Sequence, residues 1–366
     1  MWSRRERAQS DDLIDRPGSV RMDHRKDIAE GAKVKRSIAV LLLAALVGCV
    51  GLLGAAEPLK IGICKIVEHP ALDAVERGVI DTLTAAGYEE GVDVEYLIAS
   101  AQGDFGTAIS IAQNFQSQDV DLVVAIATPT AQAAVEVFRG TDVPIIYGAV
   151  TDPVGAELVP NATDPSGNEN VTGVSDMIPV AAHLQLLKDL ASDIATIGIV
   201  YNPGEANSAI LTDMALAAAA SVGVEIVTAT ADSTANVPLA AQSLIGRVDA
   251  YYVTTDNTVV SAIDSVLAAS VEAKVPFLMA DPTSLAQATL AAGFDYYEHG
   301  LTVGRVVLDV LSGVGTDEIP VTYQPTAQVH LNLDVAAEIE FEFPAAVIDQ
   351  SSTVLYGGVV WEKQSP

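Results

Sequence analysis

The 366-residue chain has 48 acidic and 19 basic side chains, a formal charge of −29. From Glu57 to Pro366 it has 41 acidic and 9 basic residues, a charge of −32, which excludes nucleic acid and anionic lipid as partners because both require a basic surface. Half of the residues are apolar and regularly patterned, so the chain is not disordered, and its length predicts two domains. The only cysteines are Cys49 and Cys64, which excludes a disulfide framework and a cysteine-rich metal site.

The amino-terminal region predicts export. A basic stretch, Lys33–Arg36, precedes an apolar run over 38–54, the pattern of a secretory signal peptide, which we place at 34–56. Residues 1–33 are polar and aperiodic, and are either a disordered leader or a misassigned start. Cleavage before Cys49, which would then carry a lipid, and cleavage after Ala56 both remain open. Either places the protein in the periplasm or on the outer face of the cytoplasmic membrane.

The mature chain alternates strands and helices in two series separated by a polar loop over 151–170. The first series predicts strands at 59–67, 93–98, 122–127 and 143–149, with helices at 71–86, 104–118 and 129–138. The second predicts helices at 179–190, 208–222, 240–246, 259–273 and 298–311, with strands at 196–201, 224–230, 250–254, 276–280 and near 321–331. Repeated strand–helix units indicate an α/β protein with two lobes, each built on a parallel sheet.

Motifs for catalysis and cofactor binding are missing from the sequence. It has no dinucleotide or phosphate-binding glycine motif, no nucleophile elbow and no histidine pair at metal-ligand spacing, so we predict neither enzyme activity, nor a cofactor, nor a metal. We expect His183 and His299 to be surface or satisfied core residues, and Cys64 to be a small buried hydrophobe. A binding function is therefore favoured.

Candidate binding residues follow the predicted strands, because open parallel sheets bind ligands at the carboxyl ends of their strands. Small polar side chains there either cap helices or bind a zwitterionic solute. Hydroxyls and helix N-termini suit a carboxylate, whereas Glu205, Asp256 or Asp281 suits an ammonium group. The candidate ligand-binding residues are Glu68, Thr128, Thr130, Asp152, Tyr201, Glu205, Asn207, Ser208, Asp256, Asn257 and Asp281.

Three stretches, 61–73, 170–176 and 201–208, resemble the ABC-transporter substrate-binding proteins of the tryptophan/tyrosine-binding type, and the resemblance extends from about Leu59 to Leu355. It implies a type I periplasmic binding fold with two Rossmann-like lobes, three crossing segments and a ligand between the lobes. The implied lobes are 57–174 plus 291–322 and 175–290 plus 323–360. Lys65 stands where many members carry Gln, and either recognises a different acid or pairs with a nearby carboxylate.

The implied function is binding of a small polar solute, an amino acid and preferably an aromatic one, for delivery to the membrane subunits of an ABC permease. We expect a monomeric mature chain without chemistry of its own. The alternative is a ligand-sensing receptor subunit of a signalling system with the same fold. A permease and an ATPase encoded beside the gene would favour transport.

The acidic, lysine-poor composition fits a salt-adapted protein or an ordinary acidic extracellular one. In both cases we predict that molar chloride raises the melting temperature, because screening weakens repulsion among the excess carboxylates. Thermal melts from low to molar potassium chloride test this. A melting temperature that stays flat or falls would contradict it.

Overall fold

The computed structural model describes residues 2–4, 57–324 and 328–363. The first part of the chain forms β1 (Trp2–Arg4), β2 (Leu59–Lys65), α1 (Pro70–Ala85), β3 (Val94–Ser100), α2 (Phe105–Ser117), β4 (Leu122–Ile126), α3 (Thr128–Phe138), β5 (Ile145–Val150) and β6 (Val171–Ser175). The middle part forms α4 (Val180–Leu190), β7 (Thr196–Tyr201), α5 (Ala206–Val222), β8 (Glu225–Thr230), α6 (Val237–Gln242), β9 (Ala250–Val253), α7 (Asn257–Val260), α8 (Ile263–Ala273), β10 (Phe277–Met279) and β11 (Leu290–Gly293).

The last part contains the second long helix of the first lobe and the end of the second sheet. It forms α9 (Tyr296–Leu311), β12 (Thr322–Tyr323), β13 (Gln328–Asn332), α10 (Leu333–Glu338), α11 (Ala345–Gln350), β14 (Thr353–Tyr356) and β15 (Val359–Lys363). Short 3-10 turns lie at 165–167, 234–236, 282–287 and 316–318.

The amino-terminal lobe is built on a six-stranded sheet in the order β12-β6-β5-β4-β2-β3. All of its neighbouring strands are parallel. Every residue of β4 is buried, as expected for a strand that helices cover on both faces. Side chains of α1 and α9 fill one face, and those of α2 and α3 fill the other.

The carboxy-terminal lobe is built on a nine-stranded sheet in the order β1-β15-β14-β13-β11-β10-β9-β7-β8. Strands β7 to β11 are parallel, whereas β13 runs antiparallel to β11. Helices α4 and α5 cover one face of this sheet, and α6 and α8 cover the other. The α/β class with two parallel-sheet lobes is thus confirmed.

Between β2 and β15 the chain crosses from one sheet to the other three times. It leaves β6 for α4 through 176–179, returns from β11 to α9 through 294–295, and passes from β12 to β13 through 324–327. Residues 325–327 lie outside the described residues.

Close packing of glycines attaches α9 to α1 after the second crossing. A Cβ atom on Gly300 would lie 2.4 Å from the Val75 carbonyl oxygen, and one on Gly78 would lie 2.6 Å from that of Tyr297. Only glycine permits this approach of the two backbones. The contact fixes the position of α1, whose first turn faces the second lobe.

Several sequence-based boundaries need correction. The predicted return to the first lobe at residue 291 falls inside β11, which hydrogen-bonds in the second sheet. The helix predicted over 259–273 is two helices, because Ala262 has non-helical torsion angles and precedes α8. Strands β6, β11, β14 and β15 are additional to those predicted.

The amino-terminal segment is described only at Trp2–Arg4, which pairs antiparallel with β15. For these three residues the prediction of an unstructured leader needs correction. The predicted signal peptide at 34–56 and Cys49 lie outside the described residues. Across the described ranges, the helices lack the length and apolar character needed to span a membrane.

Candidate functional site

A small cavity lies between the lobes at the carboxyl ends of both parallel sheets. The cavity has a volume of ≈ 20 Å³, which is room for about one water molecule. Its lining combines carboxylates, amides and apolar side chains: His69, Ala71, Leu72, Ala149, Asp176, Asn207, Thr255, Asp256, Asn257, Val260, Asp281 and Tyr296. No Lys or Arg occurs among these described lining residues.

Asp256 follows β9, directly precedes α7 and is completely buried. Its Oδ2 accepts hydrogen bonds from the Asn202 backbone N–H (2.6 Å) and the Ser208 hydroxyl (2.5 Å), and its Oδ1 accepts one from the Val259 N–H (2.9 Å). Burial, reinforced by the charge of Glu205, raises the pKa of Asp256 to about 7. The hydrogen bonds oppose this shift, but none of their donors carries a positive charge.

Asp281, which follows β10, is the second buried carboxylate. Its Oδ1 accepts from the Thr283 backbone N–H at 2.8 Å, and its Oδ2 accepts from the hydroxyls of Thr283 (2.7 Å) and Ser284 (3.3 Å). Burial raises the pKa of Asp281, although its hydrogen bonds and the nearby His69 oppose the shift.

Asp176 is the third buried carboxylate and begins the first crossing segment. It accepts hydrogen bonds from the Thr151 hydroxyl and from the Tyr296 hydroxyl, both at 3.1 Å. Burial raises its pKa to about 6. The hydrogen bond from Tyr296 connects the first crossing segment to the start of α9, directly after the second crossing.

Asn207 presents an unpaired acceptor to the cavity. Its side-chain Nδ2 donates to the Thr255 carbonyl oxygen at 2.8 Å and to Glu205 at 3.3 Å, and these two acceptors fix the orientation of the amide. Its Oδ1 is buried and has no hydrogen-bond partner among the described groups. A buried acceptor without a partner is costly, so a ligand donor suits this position.

Glu205 lies behind the cavity, and its two oxygens accept five hydrogen bonds. Oε2 accepts from the Asn257 backbone N–H, the Asn257 side-chain amide and the Asn207 amide, at 3.2, 2.7 and 3.3 Å. Oε1 accepts from the Thr258 N–H and hydroxyl at 2.9 and 2.6 Å. Glu205 therefore caps α7 and positions two amides of the cavity.

The first lobe contributes the amino-terminal turn of α1. His69 directly precedes this helix and makes no side-chain capping bond, and Ala71 and Leu72 line the cavity. Backbone N–H groups of a first turn lack intrahelical partners and suit an anion. Desolvation lowers the pKa of His69, against the raising influence of Asp281 and Asp73.

Lys65 does not line the cavity. Its Nζ contacts Asp73 Oδ1 at 2.6 Å and Glu76 Oε2 at 3.1 Å. Desolvation lowers the pKa of Lys65, but its two carboxylate partners outweigh this and raise it overall. Of the two alternatives left open by the sequence, the structure supports pairing with a nearby carboxylate.

The structure separates the sequence-based candidates into three groups. Asn207, Asp256, Asn257 and Asp281 line the cavity together, whereas Glu205 and Ser208 hold these residues through hydrogen bonds. The remaining candidates lie outside the lining: Glu68 is exposed and Tyr201 is partly exposed. Thr128 and Thr130 belong to the first turn of α3, and Asp152 belongs to the loop after β5.

The turns outside the lining have local roles. The Thr130 hydroxyl donates to the Ile126 and Ala127 carbonyl oxygens, where Ala127 has a φ of 82°. Asp152 accepts from the backbone N–H groups of Val154 and Gly155. These side chains stabilise the transition from strand to helix or loop, which is the capping role weighed in the sequence analysis.

Four polar residues of the lining were not among the candidates predicted from the sequence: His69, Asp176, Thr255 and Tyr296. Asp176 follows β6 and Tyr296 follows β11, and neither strand was predicted. The strand-end rule would have found both residues once these strands were known. His69 lies directly after Glu68, which was the candidate taken from that segment.

His183 and His299, expected to be surface or satisfied core residues, are both buried, and one nitrogen of each ring has a hydrogen-bond partner. The His183 ring pairs with the Tyr252 hydroxyl at 3.0 Å, and the His299 Nε2 accepts from the Ala149 N–H at 2.8 Å. Burial lowers their pKa values to about 4 and about 3. Burial also raises the pKa of the Cys64 thiol to about 12, which fits an unreactive buried side chain.

The family model of ABC transporter substrate binding proteins matches residues 60–355. The chain belongs to this family. A tyrosine-binding protein of Clostridioides difficile (strain R20291) is 37% identical over 284 residues, which cover 77% of this chain and 81% of the relative. The resemblance found in the sequence is confirmed.

Two solved structures of substrate-binding proteins match across most of the chain. An ABC domain in complex with L-Trp from Streptococcus pneumonia is 30% identical, with a TM-score of 0.77, and covers 82% of this chain and 100% of that one. The second is the ligand-free, open structure of a substrate-binding protein with adhesive properties from Clostridium difficile. It is 35% identical, with a TM-score of 0.60, and covers 78% of this chain and 96% of that one.

The lobes of this substrate-binding protein are closed on each other. The structure superposes better on the L-Trp complex than on the open, ligand-free protein, although its identity to the latter is higher. A direct contact between the lobes agrees with closure, because the Thr151 and Thr255 hydroxyls lie 3.3 Å apart. Closure of the lobes also explains why the cavity between them is so small.

Replacing Glu205 by Gln tests its supporting role. The new amide places an NH₂ group against donors of Asn257 or Thr258, so buried N–H groups lose an acceptor, and we expect a stability loss of about 2–3 kcal/mol. Because Asn207 and Asn257 lose their anchor, ligand affinity should also fall by roughly ten- to a hundredfold, which corresponds to about 1.4–2.8 kcal/mol.

Denaturant unfolding and calorimetry measure both effects, and Glu225→Gln, at an exposed position of β8, serves as the matched control. A Glu205→Gln protein with wild-type stability but weaker binding would instead support the direct ammonium contact predicted from the sequence.

Proposed function

We propose that the protein is the extracytoplasmic solute-binding component of an ABC importer, and that it binds an aromatic amino acid in the cavity between its lobes. The observation that carries this proposal is the composition of the cavity, where buried carboxylates and an unpaired amide oxygen lie beside apolar side chains. Relatives whose names and structures record tyrosine or L-Trp support the choice of ligand.

Each part of an amino acid has a suitable partner in the cavity. Asp256, Asp281 and the Asn207 oxygen suit the ammonium group, and the first turn of α1 suits the carboxylate. Leu72, Val260 and the Tyr296 ring offer apolar and aromatic surface for the side chain.

Ligand entry requires the lobes to separate, because a cavity of ≈ 20 Å³ admits no amino acid. The lining comes from both lobes and from the first crossing segment, so a ligand gains its full set of contacts only when the lobes meet. Binding therefore favours closure by a hinge motion, and the closed form is the one we propose for delivery to the permease. Binding and release suffice for this role, so we propose no catalytic step.

The ligand assignment predicts saturable one-to-one binding of L-tyrosine or L-tryptophan, with clearly weaker binding of L-alanine and none of glucose. Calorimetry on protein freed of bound solute by unfolding and refolding measures these affinities, and mass spectrometry identifies any solute that co-purifies. Binding of a sugar, with no response to any amino acid, would overturn the assignment.

We also propose that the protein is exported and acts as a monomer, either free or anchored through a lipid on Cys49. The basic and apolar pattern over 33–54 supports export. Amino-terminal sequencing and intact-mass measurement on protein from the native cell should show a chain beginning at Cys49 with an added lipid mass, or at Glu57. A chain that retains 38–54 would contradict export by cleavage.

A further inference from the structure

We propose that the lobes close only when positive charge enters an ammonium pocket formed by Asp176, Asn207, Asp256 and Asp281. The ligand ammonium group supplies this charge, and protons replace it when the ligand is absent. This proposal rests on the proposed function and deepens it. It makes the amine the essential part of the ligand and makes closure of the ligand-free protein dependent on pH.

The pocket brings three carboxylates together without a cation. Asp176, Asp256 and Asp281 are each at most 3% exposed, and all of their described hydrogen-bond donors are neutral hydroxyls or backbone amides. Ionised carboxylates in such surroundings are strongly disfavoured unless a positive charge joins them. Among the described residues, no group of His, Cys, Asp and Glu side chains could hold a metal ion.

Asn207 supplies an independent sign of a ligand. The residue is 3% exposed, lines the same cavity, and its Oδ1 has no hydrogen-bond partner. Since both N–H bonds of its amide are directed to Thr255 and Glu205, the oxygen cannot be exchanged for the nitrogen by rotation. Ionised carboxylates cannot donate to the Asn207 oxygen. An ammonium group has three N–H donors, so it can bind this oxygen as well as the carboxylates.

The charged groups around the pocket do not replace the ligand. Glu205 faces Asp256 and adds negative charge. His69 faces Asp281 from the first lobe, but desolvation lowers its pKa, against the raising influence of Asp281, Asp73 and Glu205. Lys65 contacts Asp73 and Glu76 instead of the pocket. Tyr296 faces Asp176 with a hydroxyl whose pKa is raised by burial.

The direction of the pH effect follows from the raised carboxyl pKa values. In the closed form burial raises the pKa of Asp176 to about 6 and that of Asp256 to about 7, whereas a solvated Asp ionises near 4. Between about pH 4 and 7 the open form loses protons that the closed form keeps. Rising pH therefore opens the ligand-free protein, and an ammonium ligand closes it again.

The test measures lobe closure directly, by the distance between two spin labels. Ser110 on α2 and Ala235 in the turn after β8 are exposed and lie on opposite lobes. At pH 5 we expect the ligand-free protein to be predominantly closed, and at pH 8 predominantly open. Both L-tyrosine and tyramine, which lacks the carboxylate, should restore the short distance at pH 8.

The acid 3-(4-hydroxyphenyl)propionate, which lacks the amine, should bind at least a hundredfold more weakly than L-tyrosine and should leave the lobes open. Equal closure by this acid, or a ligand-free distance that is identical at pH 5 and pH 8, would overturn the proposal. If no aromatic amino acid binds at all, the proposed function fails, but the ligand-free comparison still tests the pocket.

The variant Asp281→Asn removes one charge with little change of shape, because the hydroxyls of Thr283 and Ser284 at Oδ2 can accept as well as donate. It should be more closed than wild type at pH 8 without ligand, and it should bind L-tyrosine about tenfold more weakly.

Asp176→Asn, whose partners are also hydroxyls, provides a second variant if the first does not fold. Asp164→Asn, an exposed cap of the turn at 165–167, is the control and should behave as wild type. Asparagine variants that open and close like wild type at every pH would contradict the proposal.

Discussion

Burial of carboxylates at the lobe interface is the constraint that organises this protein. Water stabilises an ionised carboxylate strongly, and a closed cleft removes that water. The second lobe compensates in part with neutral donors, which explains why Ser208, Thr283 and the backbone of α7 are directed at Asp256 and Asp281. Neutral donors reduce the cost without cancelling the charge, so the closed form needs a cation from outside the chain.

The two lobes contribute unequally to the cavity. The second lobe carries Asp256, Asp281 and Asn207, and Glu205 fixes the amides from behind. The first lobe contributes mainly the start of α1, with apolar side chains and backbone N–H groups. Because α1 is packed closely against α9 at Gly78 and Gly300, the position of this helix end is fixed within its lobe. Closure thus brings a surface suited to anions against one suited to cations, an arrangement complementary to a zwitterion.

Much of the fold could be predicted from the sequence, because long apolar runs such as β4 and amphipathic helices such as α1 have clear periodicity. Strands β6 and β11 were missed because Gly, Ser, Thr and Ala dominate their four or five residues. The site was predicted only in part for the same reason, since Asp176 and Tyr296 follow these strands. Glu205 was predicted, but a sequence cannot show that its oxygens accept hydrogen bonds from Asn257 and Thr258, which lie 52 and 53 residues further along the chain.

Lys65 shows how little positive charge the chain places near its cavity. It ends β2 at the same sheet edge as the site residues, and a free lysine there could neutralise one buried carboxylate without any ligand. Asp73 and Glu76, the fourth and seventh residues of α1, bind its ammonium group instead. A lysine that reached Asp281 would stabilise the empty closed form and weaken the dependence of closure on ligand. Holding Lys65 on α1 therefore keeps the incoming amine as the charge that closes the lobes.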